Sequence, residues 1–158
     1  MKAARVDALP AWPVTERPGF LIRRLHQIHV ALFSEQCAQF DITPVQYSLL
    51  SALSARRKAD QTSLAADVKL DRTTATGALT RLEARGLIER VTSSDDKRAR
   101  ECRLTPLGAE TLAGMEGAAR RAHHDTIAAL SPSDRDRLMD LMKRLVAAHS
   151  DEAGASPF

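Results

Sequence analysis

The residues best equipped for chemistry in this chain are short hydroxyls and cations. Thr73, Thr76, Gly77, Thr80 and Arg81 recur within residues 72–86 at a spacing that puts them on one face of a helix. A face with nothing apolar larger than a threonine methyl is thin enough to enter a major groove, and its polar groups suit phosphates or base edges. Further on, Lys97 and Arg98 lie in a wholly polar run, residues 93–98. Two adjacent cations there suit a phosphate ridge or a minor groove. A second set is titratable: His26 and His29 are three residues apart, and His123-His124 precedes Asp125. Neither cluster completes a four-ligand metal set, so no metal site is expected. Cys37 and Cys102 stand at no metal or redox spacing. Glu35 and Asp41, near Cys37 in sequence, are neighbours that would raise a thiol pKa. No nucleophile elbow, phosphate-cradling glycine loop or HExxH string occurs, so an enzyme is not expected, nor a cofactor.

The elements that would position the threonines are legible. In residues 61–71 the apolar Leu64, Ala65 and Val68 recur at helical spacing, and the helix should stop near Lys69-Leu70. Asp71 then caps a second helix that starts at Arg72, buries Ala75, Ala78, Leu79 and Leu82, and ends at Gly86. A hairpin follows, with residues 87–91 and 100–104 as strands. Helix, tight connection, helix and charged hairpin together predict a winged helix-turn-helix, with Arg100 a further cation on the wing. Charge agrees: residues 56–103 hold twelve Lys or Arg against eight Asp or Glu, while the whole chain is only +3. The positive excess is therefore in this lobe.

Around it the chain reads as mainly α. Residues 1–18 hold three prolines and no sustained period, an extended arm. An amphipathic helix from Phe20 to Phe40 carries Leu21, Ile22, Leu25, Ile28, His29, Leu32 and Phe33, and both His26 and His29 are placed to point inward. Thr43-Pro44 opens a helix running to about Ala55, with Tyr47 on it, and Arg56-Arg57-Lys58 closes that helix with cations. Thr105-Pro106 and Ser131-Pro132 open two more, the last with an apolar face of Leu138, Leu141, Met142, Leu145 and Val146, before a tail at 150–158. Residues 43–105 thus form the DNA-reading lobe, and residues 19–42 with 106–149 a helical region. That region has more apolar face than one small lobe can cover, which predicts an intertwined homodimer. With no apolar run near a spanning length and no secretory h-region, the chain is expected in the cytoplasm, without a membrane partner.

In order and spacing, Ile42-Thr43-Pro44-Val45-Gln46-Tyr47, Leu64-Ala65, Asp71-Arg72-Thr73-Thr74-Ala75-Thr76, Leu82-Glu83-Ala84-Arg85-Gly86-Leu87-Ile88, Asp96-Lys97-Arg98 and Leu104-Thr105-Pro106-Leu107-Gly108 resemble the MarR family of bacterial transcription regulators. The resemblance covers about residues 19–148. It implies a homodimer that places two recognition helices in successive major grooves of a pseudo-palindromic, double-stranded operator. Thr73, Thr74, Thr76 and Thr80 match groove-facing positions, Arg98 matches the wing arginine of the minor groove, and Asp96 the acid that holds it. Gly77 departs from a position that is often Arg, which shifts the expected reading toward threonines, backbone N–H groups and DNA shape. The string Pro18-Gly19-Phe20-Leu21-Ile22-Arg23-Arg24-Leu25-His26-Gln27, with Ala31-Leu32-Phe33 after it, is similar to members controlling catabolism of nicotinate and other aromatic acids. The resemblance implies repression relieved by a small aromatic effector bound between the dimerisation helices and the DNA-reading lobe. Its polar candidates here are Arg23 for a carboxylate, and His26, His29 and Tyr47 for a hydroxyl or ring nitrogen. Cysteine oxidation or metal binding by the same fold are the alternative signals.

Overall fold

The computed structural model describes residues 12–93 and 100–152. Helix α1 (Pro18–Gln36) leads through a 3-10 turn (Ala38–Phe40) to α2 (Pro44–Arg56) and a short strand β1 (Lys58–Asp60). Then come α3 (Gln61–Asp67), α4 (Arg72–Ala84), β2 (Ile88–Thr92), β3 (Arg100–Leu104), α5 (Pro106–Thr126) and α6 (Pro132–Glu152). The fold is mainly α with a small antiparallel sheet of order β1-β3-β2.

Five of the six helix starts carry a side-chain cap, while α1 opens on Pro18 without one. Thr43 accepts from the Gln46 N–H while the Gln46 side chain accepts from the Thr43 N–H, a reciprocal cap ahead of Pro44. Asp60, Asp71, Thr105 and Ser131 cap α3, α4, α5 and α6 through side-chain oxygens three residues before the N–H they receive. Gly86 ends α4 with φ of 70°, a conformation open to glycine at little cost.

The core sits where α1, α2, α4, α5 and the sheet meet. Phe33, Leu49, Leu50, Leu53, Leu64, Leu79, Leu82 and Met115 are fully buried. Small residues on α5, Ala118, Ala119 and Ala122, let α1 approach closely around Phe33 and Cys37. The four predicted core positions of α4 (Ala75, Ala78, Leu79 and Leu82) are all buried.

Three expectations change. The first helix stops at Gln36, and Phe40 sits on the 3-10 turn, which Asp41 closes with φ of 51°. Arg56-Arg57-Lys58 do not simply finish a helix: Arg57 has φ of 67° and Lys58 begins β1, which pairs with β3 in the register Lys58 with Arg103 and Asp60 with Glu101. A three-residue strand is too short for period to reveal. Third, His26 is exposed on α1 rather than turned inward. Leu21, Ile22, Leu25 and Ile28 of α1 and Met139, Leu141, Leu145 and Val146 of α6 are exposed as well. The arm's residues 1–11, the wing tip (residues 94–99, including Asp96, Lys97 and Arg98) and tail residues 153–158 lie outside the described residues.

Candidate nucleic-acid interface and effector groove

Helix α4 lies with Ala75, Ala78, Leu79 and Leu82 inward, so Thr73, Thr76, Thr80 and Arg81 are exposed on the far side. Arg72 and Thr74 are exposed near the helix start, and Arg100 is exposed at the start of β3, across from Thr92. The sequence-predicted contacts that are described are thus all exposed, six on α4 and Arg100 at the start of the middle strand.

The threonines are not equivalent. Thr74 donates its hydroxyl to the Asp71 carboxylate at 2.5 Å, so it reinforces the cap. That hydroxyl, together with the Thr74 N–H, holds the Asp71 carboxyl below its usual range. Thr76 donates to the Arg72 carbonyl at 2.7 Å and accepts from the side-chain amide of Gln61. Thr80 accepts a long bond of 3.4 Å from Arg90.

Arg90 is only partly exposed on β2, directly opposite Cys102. Its Nε lies 3.4 Å from Glu83 but is sealed from water and makes no aligned hydrogen bond, so this contact is an ion pair of charge alone. Sequence reading does not single out Gln61 or Arg90. A polar residue opening a helix and an alternating strand position are too common to mark a role.

Several cations of the lobe are engaged within it. Arg56 forks onto Asp67, with Nη2 to Oδ1 at 2.8 Å, and Lys58 meets Glu101 at 3.1 Å. The pairing of Arg56 removes much of its fitness for phosphate. Arg85 donates to the carbonyls of Phe40 and Asp41, tying the end of α4 to the α1–α2 connection.

The predicted effector residues are dispersed within one protomer. Arg23 lies over the Phe20 ring, 5.3 Å from its centroid. His29 lines an apolar groove of about 640 Å³ between α1, α5 and α6, with Leu25, His123, Ile127, Met139 and Met142. Tyr47 faces a separate groove of about 330 Å³ between α2 and α5, with Ser51, Leu112 and Glu116. Phe33 joins the two: its ring centroid is 6.1 Å from that of His29 and 5.6 Å from that of Tyr47.

His29 is defined in detail. The Thr126 hydroxyl gives its hydrogen to the Ala122 carbonyl at 2.8 Å, so its oxygen must accept from His29 Nδ1 at 2.9 Å. Neutral His29 therefore carries its proton on Nδ1 and offers Nε2 as an acceptor. Burial, then the stacked His123 at 4.7 Å and His26, push its pKa down, so the ring is neutral at pH 7. His123 and Thr126 are not predicted as partners of His29 from sequence, because they are close only once α5 packs on α1.

Cys37 and Cys102 are both buried free thiols. Burial is the main cause that raises each pKa, with Arg121 and Arg90 respectively opposing it. For Cys37 the direction expected from Glu35 and Asp41 holds, but desolvation causes it. Among the described residues, no three His, Cys, Asp or Glu side chains gather as a metal set, and no helix is long and apolar enough to cross a membrane.

Known proteins share this arrangement. Residues 42–99 match the profile of the MarR family. The HTH-type transcriptional repressor NicR of Pseudomonas putida is 30% identical over 150 residues, which cover 95% of this chain and 93% of NicR. Among solved structures, BpsR of Bordetella bronchiseptica, described in a study of how 6-hydroxynicotinic acid regulates its DNA binding, is 26% identical with a TM-score of 0.81. That match covers 86% of this chain and 97% of BpsR. PcaV of Streptomyces coelicolor in complex with its natural ligand is 30% identical with a TM-score of 0.80, over 89% of this chain and 99% of PcaV. The fold thus recurs among named regulators, and the chain belongs to the MarR family of transcription regulators.

Proposed function

We propose that this regulator acts as a homodimeric, sequence-specific repressor, released from a pseudo-palindromic operator by a small aromatic acid. The observation that carries the DNA reading is the α4 surface, where every exposed side chain toward the groove is a short hydroxyl or a cation. On this reading Arg72, Thr73, Thr76, Thr80, Arg81 and Arg100 touch the duplex, with Thr74 near them as a cap. Lys97 and Arg98 at the wing tip supply phosphate and minor-groove contacts.

Dimerisation rests on the apolar faces of α1 and α6. Leu145 and Val146 are 60% and 66% exposed in one protomer, and Ile22 is 67% exposed. A second copy covers such faces at a gain of roughly 1.5–3 kcal/mol for each large side chain fully buried. Arg23, exposed near the start of α1, is the candidate for a carboxylate contact.

The effector reading is supported by the chemistry of His29, whose Nε2 accepts a hydrogen bond from a ligand hydroxyl or ring N–H beside an apolar wall. Tyr47 and His26 are its further polar candidates. The BpsR comparison, with an effector that has a hydroxyl, a ring nitrogen and a carboxylate, points the same way. Release follows when a ligand binds better to a spacing of the recognition helices that fits the operator worse.

Arg98→Ala tests the wing. Binding to operator DNA should weaken broadly across sequences, and the salt slope should flatten by about one unit for each phosphate that a subunit no longer neutralises. Wild-type affinity and salt dependence in that variant would remove the wing from the interface.

A further inference from the structure

The hydroxyl hydrogens of α4 have fixed destinations, and this limits what the helix reads. Thr76 gives its only hydrogen to the Arg72 carbonyl at 2.7 Å, and one lone pair of its oxygen takes the amide hydrogen of Gln61. A hydroxyl has one hydrogen and two lone pairs, so a single acceptor site is left. The orientation of the Gln61 amide follows: with the Thr76 hydrogen committed, only the NH₂ end of Gln61 can face that oxygen. Thr80 is the contrast within the same helix. Its one bond among the described residues is as an acceptor from Arg90, and its hydrogen remains free to donate.

We propose that Thr76 is an acceptor that reads a base amino group in the major groove, and that Gln61 is the positioning residue that holds it so. The inference rests on the DNA-reading function proposed above. The groups that satisfy a lone acceptor there are the adenine N6 and cytosine N4 amines, while the N7, O6 and O4 acceptors of the other edges repel it. Gln61 is suited to the task because it opens α3 and lines, with Thr62, Leu70 and Arg72, the crevice between α3 and the start of α4. It therefore fixes the Thr76 oxygen relative to both helices of the motif. Gly77 beside it leaves open space, since a Cβ there would meet nothing within 4 Å, and the amine approaches without a competing side chain.

The test is selection from a randomised duplex library by the full-length wild type, Thr76→Val and Gln61→Met. Valine keeps the shape of threonine and deletes the acceptor together with the hydroxyl's bond to the Arg72 carbonyl, and methionine keeps the length of glutamine and deletes the donor. Thr76→Val should lose about tenfold discrimination at one position per half-site, and Gln61→Met should broaden that same position, with thermal midpoints unchanged. At that position the amine is then deleted, with a purine nucleoside in place of dA or a pyrimidinone nucleoside in place of dC. Wild type should weaken about tenfold and Thr76→Val should not respond. Equal weakening of both proteins, or a Thr76→Val profile identical to wild type, overturns the assignment while leaving the regulator intact. If the wild type enriches no sequence at all, the regulator reading falls and this inference falls with it.

Discussion

Gly108 has no room for a side chain, because a Cβ there would lie 1.9 Å from the Leu87 carbonyl oxygen. That oxygen also receives the Thr105 N–H at 3.1 Å, so the start of α5 is seated on the chain entering β2. Gly108→Ala must push this backbone apart, and the expected loss of stability is about 3 kcal/mol by urea denaturation. Glycine here is visible in the sequence only as part of a family string. The approach that demands it joins residues far apart in the chain and has no local signature. At His29 the sign of the pH effect is fixed by its lowered folded pKa. As pH falls below about 6.5, the unfolded chain takes up the proton first. The stability that neutral His29 contributes is complete above that pH and is lost as pH drops through the folded pKa, with His123, His26 and Thr126 facing the ring. Comparing urea midpoints at pH 7.5 and 5.0 should give a smaller acid loss for His29→Gln than for wild type.

Among the elements, α4 is the most legible, since Asp71, Gly86 and four apolar positions fix its start, end and buried face independently. Strand β1 is the least, because its three residues, the last of them the aspartate that caps α3, carry no period. Its stability comes from pairing with β3, which a local pattern cannot express. The end of α1 escapes sequence reading for a related reason: Phe40 keeps the apolar spacing of the helix but sits on a tighter turn, whose closing Asp41 takes a positive φ. Arg85 clamps that turn to α4 through two carbonyls. Arg85→Met should cost about 1 kcal/mol and speed amide exchange between residues 40 and 43 while leaving α5 and α6 protected. Uniform exchange changes across the chain would show that the clamp is not local.

For the whole molecule, the unpartnered faces of α1 and α6 are the feature that a single protomer leaves unexplained. The sequence discloses the excess of apolar face but not how the effector candidates divide between grooves, because the separation of His29 from Tyr47 by Phe33 arises from packing of both α1 and α2 against α5. Leu145→Lys with Val146→Lys places two cations per subunit on the face assigned to the second copy. Sedimentation should show the wild type as a dimer and this variant as a folded monomer, with DNA affinity reduced by more than about tenfold because two linked half-sites bind far better than one. A variant that remains dimeric would move the interface elsewhere.

The most direct test of regulated DNA binding is an equilibrium titration of the purified protein on duplex DNA from its own upstream region, with and without phenolic and pyridine carboxylates. Tight, salt-sensitive binding that one of these compounds releases is expected, together with a release that His29→Gln blunts. Binding that is weak and indifferent to sequence, or tight binding that no such acid disturbs, would contradict a repressor released by an aromatic acid.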